Sequence, residues 1–209
     1  MAQYFVIHPQ DPQRRLLQQA AQIVRQGGLI VYPTDSCYAL GCQIGDKAAQ
    51  ERMRAIRELG PEHHFTLVCR DLSEIAHYAR VDNRQYRLLK ATTPGSYTFI
   101  LQATREVPRR LQNPRRSTIG LRVPDHKVVQ ALLAELDAPL LSSTLLLPGD
   151  QLPLNDAGAI RERLERQVEL ILDGGPCGIE PTTVVDLTSQ APEVVRAGKG
   201  SLEPFGVTA

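Results

Sequence analysis

Apolar residues in the first part of the chain fall into two rhythms that alternate. Tyr4 to His8 reads as a short strand, and Asp11 to Gly27 carries Leu16, Leu17, Ala20, Ile23 and Val24 at helical spacing. Gly27-Gly28 supplies a helix stop, and the run Leu29 to Tyr32 is then a buried strand closed by Pro33. Asp46 is placed to cap a helix running to about Leu59, with Met53 and Ile56 inward. Phe65 to Cys69 is strand-like, and two helices follow around Leu72–Ala79 and Asn83–Ala91. Further on, Ser96–Gln102 and Thr118–Val123 read as strands, the second stopped by Pro124. Asp125 opens a helix whose apolar face is Val128, Val129, Leu132, Leu133 and Leu136. Strands at Leu140–Leu141, Val168–Leu172, Thr182–Leu187 and Glu193–Arg196, with a helix at about Asp156–Arg166, complete the pattern. Connections that are not simple βαβ repeats predict an α/β fold: a large twisted mixed sheet flanked by helices, in a single domain over residues 1–209.

Composition narrows the function classes without choosing one. Net charge is +1, so global charge does not announce a nucleic-acid binder, and the absence of Trp argues against a surface of stacked bases. Of the 24 basic residues only Lys47, Lys90, Lys127 and Lys199 are lysines; the arginine excess suits bidentate contact with phosphate or carboxylate, and a GC-rich coding sequence would produce the same bias. Cys37, Cys42, Cys69 and Cys177 form no C-x-x-C pair, and the opening residues carry no secretory pattern, which points to reduced thiols and a cytoplasmic setting. No apolar run approaches the ~18 residues of a membrane span. His63-His64 sits in a Gly-Pro-Glu loop without a spaced carboxylate partner, so no metal site is expected. Neither G-x-G-x-x-G nor G-x-x-x-x-G-K-[ST] occurs.

Charge is less even locally. Arg105, Arg109, Arg110, Arg115, Arg116 and Arg122 are opposed between residues 105 and 122 by Glu106 alone, a local excess of +5. Such a stripe can neutralise phosphates, with strong salt dependence. A solvated loop is the alternative reading. With no helix-turn-helix or aromatic RNA-binding pattern beside it, RNA recognition here would follow backbone shape rather than base sequence.

The stretch Tyr32-Pro33-Thr34-Asp35-Ser36-Cys37-Tyr38-Ala39-Leu40-Gly41-Cys42 puts hydroxyls, a carboxylate and a Gly turn at the end of a buried strand, where α/β sheets place ligand sites. A capped loop whose Thr and Asp satisfy backbone amides is the plain alternative. This stretch resembles the YPT[DE]TxYGLG signature of the YrdC family, which has the threonylcarbamoyl-AMP synthase fold. Four more segments resemble that family in order: Pro94–Leu101 (PGSYTFIL), Ser117–Pro124 (STIGLRVP), Thr182–Leu187 (TTVVDL) and Val195–Gly200 (VRAGKG). The resemblance implies a cupped YrdC-like sheet with a basic concave face. Catalytic members bind ATP, with Mg²⁺, threonine and bicarbonate there and make threonylcarbamoyl-AMP for tRNA modification; some members are described as binding double-stranded RNA. By motif position, Thr34 and Thr183 would hold threonine and Arg196 the nucleotide phosphates.

Two departures resemble the YciO branch of that family. Where active synthases carry a Lys-x-Arg pair, the chain has Arg57-Glu58-Leu59; where they carry Thr-Ser-x-Asn, it has Ser143-Thr144-Leu145-Leu146. Arg57 and Thr144 therefore stand at substrate- or nucleotide-binding positions in altered form, while the next cation and the asparagine become leucines. Losing a contact to a charged oxygen costs about 1.5–3 kcal/mol. The expectation is a YciO-branch domain that binds double-stranded RNA or tRNA and nucleotide, with no tightly bound cofactor and no membrane partner. An L-threonylcarbamoyladenylate synthase, weakened, is the alternative.

Overall fold

A computed structural model describes residues 1–60 and 62–206; Pro61, in the Gly-Pro-Glu loop, and residues 207–209 lie outside them. Ten strands and six α-helices are present among the described residues, so the chain is α/β with mixed strand pairing and flanking helices. They group into two compact units, Met1–His63 with His126–Glu180, and His64–Asp125 with the stretch from Pro181 onward.

In the first unit, β1 (Gln3–Val6), β2 (Ile30–Tyr32), β3 (Ala39–Gln43), β7 (Leu140–Thr144) and β8 (Leu170–Asp173) pair in the order β1-β8-β2-β3-β7. The first two pairings are parallel and the last two antiparallel. Strand β2 and residues Leu170–Leu172 of β8 are apolar runs that are buried on both faces. Helix α1 (Arg14–Arg25) packs its Leu17, Ala20, Ala21 and Val24 stripe on α5 (Lys127–Leu136). Arg25 donates to the last carbonyls of α5, Glu135 and Leu136, which closes that helix end. Gly27, at φ +86°, takes the left-handed turn that ends α1. Helices α2 (Lys47–Ile56) and α6 (Ala157–Leu164) start on Asp46 and Asp156, whose side chains accept from Ala49 N and Ala159 N at 2.9 and 2.8 Å.

In the second unit, β4 (Thr66–Val68), β5 (Tyr97–Gln102), β6 (Thr118–Arg122), β9 (Thr183–Asp186) and β10 (Glu193–Arg196) pair in the order β4-β6-β5-β9-β10. Parallel and antiparallel neighbours alternate along it. Asp71 caps α3 (Leu72–Tyr78), and Asp82 with Gln85 forms a capping box on α4 (Asn83–Thr92). Tyr97, Phe99 and Phe205 form an aromatic cluster, with ring centroids 5.7–6.3 Å apart. Gly200 passes so close to Tyr97 that an added Cβ would fall 2.4 Å from the ring.

Several element boundaries differ from the sequence expectation, among them the end of α2, at Ile56 rather than about Leu59, and that of β7, at Thr144 rather than Leu141. Helix α1 begins at Arg14 rather than Asp11, and Gln13 turns its Oε1 to accept from His8 N instead of capping it. Helix α5 is preceded by His126, not opened by Asp125. Strand β3 emerges inside what reads as a loop, because Ala39, Gly41 and Cys42 carry little β pattern and are recruited by pairing with β2 and β7.

Candidate functional site

Thr34 lies in the turn joining β2 to β3 and is buried. Its hydroxyl donates to Cys37 O at 2.6 Å and accepts from the Ser36 and Cys37 amides at 3.1 and 3.2 Å. That is the geometry of a capped loop: the hydroxyl holds the turn together. A second turn, residues 173–178, locks against it. Tyr38 donates to Gly175 O at 2.8 Å and accepts from Gly174 N, and the Cys177 thiol sits 3.6 Å from Thr34 O. Asp173 accepts from the Tyr4 hydroxyl and the Gly175 amide, fixing the base of the same turn. Burial raises the Tyr38 phenol far above its ordinary range, so it stays protonated. The Cys42 thiol is pushed up to about 12 by burial and by Asp46, which leaves it an inert small hydrophobe.

Arg57 follows α2, and its guanidinium donates to Leu146 O at 3.0 Å and to the Ser143 hydroxyl. Burial lowers its pKa. The planar fork thus braces the end of β7 and the residues just after it, on either side of half-buried Thr144, where an ammonium on a flexible stem would project as a point charge. Leu59 and Leu146 are both half-buried and offer no polar atom of their own side chains.

In the second unit Thr183 is fully buried, donating to Gly200 O at 2.6 Å and accepting from Gly198 N at 3.0 Å. It clamps the Ala197–Gly200 turn onto the start of β9. Arg196, exposed at the end of β10, donates from Nη2 and Nε to Thr182 O at 2.9 and 3.3 Å. The two motif residues of this unit therefore meet around one turn.

The arginine stripe separates into three groups. Arg105, Arg109, Arg110 and Arg115 are exposed. Arg116 is exposed too, but it pairs with Asp186 of β9 at 2.8 Å and donates to Thr188. Arg122 stands apart from the stripe: it lies buried in β6, 7% exposed, where the other five are exposed. Burial raises the Asp186 carboxyl, yet the Thr188 hydroxyl and amide and then Arg116 outweigh that and hold it below the usual range.

The loop carrying these arginines is pinned along its length. Thr104 donates to His77 O at 2.8 Å, Gln112 to Val107 O at 2.8 Å, and Asn113 Oδ1 accepts from the Arg115 and Arg116 amides at 3.0 and 3.1 Å. Val107 and Leu111 are buried plugs. His64 turns its Nε2 to Asn113 Nδ2 at 3.2 Å, a supporting contact for the loop. Between the loop and the end of α3 lies a cleft of about 740 Å³, lined by Arg80, Arg105 and Arg109 with Thr104, Gln112 and Asn113. Arg80 escaped sequence reasoning. It is brought there by the bridge Ala79–Ala103 and by Arg80 N donating to Gln102 O, a long-range pairing with no local signature. Among the described residues, no group of three His, Cys, Asp or Glu side chains stands close enough to hold a metal.

The sequence profile of the Sua5/YciO/YrdC family, described as "Telomere recombination", matches residues 22–198. The chain belongs to that family. Within it, the chain is 57% identical over 205 residues to the uncharacterized protein YciO of Escherichia coli K12, covering 98% of this chain and all of that one. The crystal structure of E. coli YciO superposes with a TM-score of 0.95 at 56% identity, again over 98% and 100% of the two chains. The threonylcarbamoyl-AMP synthase of Chromobacterium violaceum is 34% identical over 182 residues, 87% of this chain and 93% of the synthase. P. abyssi Sua5, in a crystal structure complexed with L-threonine, shares the fold at a TM-score of 0.86 and 23% identity, over 94% of this chain and 58% of that one. The chain is thus a YciO-branch member of the family. No helix among the described residues is long and apolar enough to cross a membrane.

Proposed function

We propose that this family member is an RNA-backbone binder of the cytoplasm that engages double-stranded RNA or tRNA through Arg105, Arg109, Arg110 and Arg115, and retains nucleotide binding at Arg196. One observation carries the reading: exposed guanidiniums are held on a pinned loop that contains a single carboxylate, Glu106. Pinning matters because donors ordered in advance lose less freedom on binding. Arginines in this setting bridge phosphate rows without reading bases, so binding is sequence-tolerant and falls with salt. Fluorescence anisotropy with short RNA duplexes of unrelated sequence tests it. Similar affinities that weaken together as salt rises are expected; a strong preference for one sequence, or no binding at low salt, overturns it.

A second reading is supported by the 34% identity to a threonylcarbamoyl-AMP synthase: the chain makes L-threonylcarbamoyladenylate from ATP, threonine and bicarbonate, weakly. Magnesium would then arrive on the ATP phosphates. The geometry supports the weakness. Arg57 is tied to Leu146 O and Ser143, and the hydroxyls of Thr34 and Thr183 hold their own turns. Phosphoryl transfer depends on positioned cations. A threonine- and bicarbonate-dependent assay of ATP conversion to pyrophosphate separates the two readings. Turnover equal to that of the Chromobacterium violaceum enzyme run in parallel would make synthesis the main activity.

A further inference from the structure

Duplex binding uses the outer face of the arginine loop and gives no reason for the cleft behind it. A duplex backbone is convex and meets guanidiniums from outside. A concavity of about 740 Å³ instead falls in the size range of small-molecule sites. Three guanidiniums line it, and its lining holds no carboxylate. Among the described residues, Arg80, Arg105 and Arg109 make no ion pair and no side-chain hydrogen bond. Like charges gathered around one hollow repel, and an anion placed between them relieves that repulsion.

The donors come from two separate places and are fixed in both. Arg105 and Arg109 ride the loop anchored by Val107 and Leu111, with Thr104 N donating to Tyr78 O at 2.9 Å. Arg80 is held by its amide on Gln102 O at 2.8 Å, just after α3. We propose that this cleft takes a phosphomonoester: the terminal phosphate of a sugar phosphate or of a nucleic-acid end. Charge decides between ester types. A monoester carries close to two negative charges at neutral pH and three terminal oxygens, whereas a backbone diester carries one charge. Three guanidiniums come closer in charge to the two negative charges of the monoester than to the single charge of a diester, and their forks supply paired donors for its three terminal oxygens. The inference rests on the duplex reading in sharing Arg105 and Arg109, but Arg80 belongs to the cleft and Arg115 to the outer face.

Calorimetric titration with ribose 5-phosphate and with ribose tests the site, beside anisotropy on one RNA duplex carrying 5′-phosphates or 5′-hydroxyls. Ribose 5-phosphate is expected to bind and ribose not. Arg80→Ala should weaken the phosphate ligand about tenfold or more and leave the affinity for the hydroxyl-ended duplex unchanged. A preference for the 5′-phosphorylated duplex that Arg80→Ala abolishes identifies nucleic-acid ends as the source. Ribose 5-phosphate binding without that preference identifies a free sugar phosphate. Should ribose 5-phosphate bind while neither duplex does, the duplex reading fails and the cleft stands. No binding of ribose 5-phosphate at millimolar concentration, together with equal affinity for the two duplex ends, overturns the proposal. So does phosphate binding that Arg80→Ala leaves intact.

Discussion

Asp186 shows how a single residue sorts the arginines of the loop. It sits almost fully buried at the end of β9, and its partner Arg116 reaches it from the loop at 2.8 Å. Arg116 therefore anchors the loop through its pair with Asp186, while half of its side chain stays exposed. Because the folded carboxyl titrates below its unfolded value, near 4, its contribution to stability is full above that value and is lost as pH falls through the lower folded one. Asp186→Asn should cost about 1–2 kcal/mol at pH 7, and urea unfolding at pH 3 should show a smaller gap from the parent. An unchanged gap at pH 3 would mean that charge is not what the pair contributes. Thr183 makes a similar point without charge. Thr183→Val keeps the shape but leaves Gly198 N without its acceptor in a part-buried turn, so a loss of about 1–3 kcal/mol is expected in urea unfolding. Neither role was legible in the sequence, where both residues read as motif positions; Gly198 lies 15 residues from Thr183, and Arg116 lies 70 from Asp186.

At the scale of elements, the helices were the most legible, because a face such as Val128, Val129, Leu132, Leu133 and Leu136 can only be buried one way. Strand β3 was not, since a short run through Gly41 and Cys42 becomes a strand through its neighbours rather than its own propensity. The arginine loop behaves as an element in its own right, plugged by Val107 and Leu111. Leu111→Ala should cost about 2–4 kcal/mol and speed hydrogen exchange at the Asn113 and Ser117 amides while the α1 amides keep their protection. Unaltered exchange at those two amides would show that the plug does not hold the loop. The segment after α2 carries the other element-scale prediction. Installing Leu59→Arg with Leu146→Asn returns two polar groups to half-buried positions near Arg57 and should raise threonine-dependent pyrophosphate release. A folded double variant with the parent's rate would place the weakness elsewhere in the scaffold.

For the whole molecule, the family was legible from five ordered segments, and the profile match over residues 22–198 agrees with them. Net charge was a poor guide. The value of +1 hides an arginine loop on one unit, while Arg122, six residues past Arg116, is buried in a strand whose successive residues Leu121 and Arg122 are both covered. The cleft was illegible because Arg80 and Arg105 meet through a bridge between distant segments. The most direct test of the central claim is the salt dependence of duplex RNA binding in the parent and in an Arg105→Ala, Arg109→Ala, Arg115→Ala variant. The variant leaves the Arg116–Asp186 pair in place, so the loop keeps its anchor. If these side chains meet backbone phosphates, affinity should drop alike for every duplex. The slope of log affinity on log salt should flatten by up to about 0.9 per lost contact, a coefficient taken from B-form DNA. A variant that binds duplex RNA with the parent's affinity and the parent's slope would contradict the account.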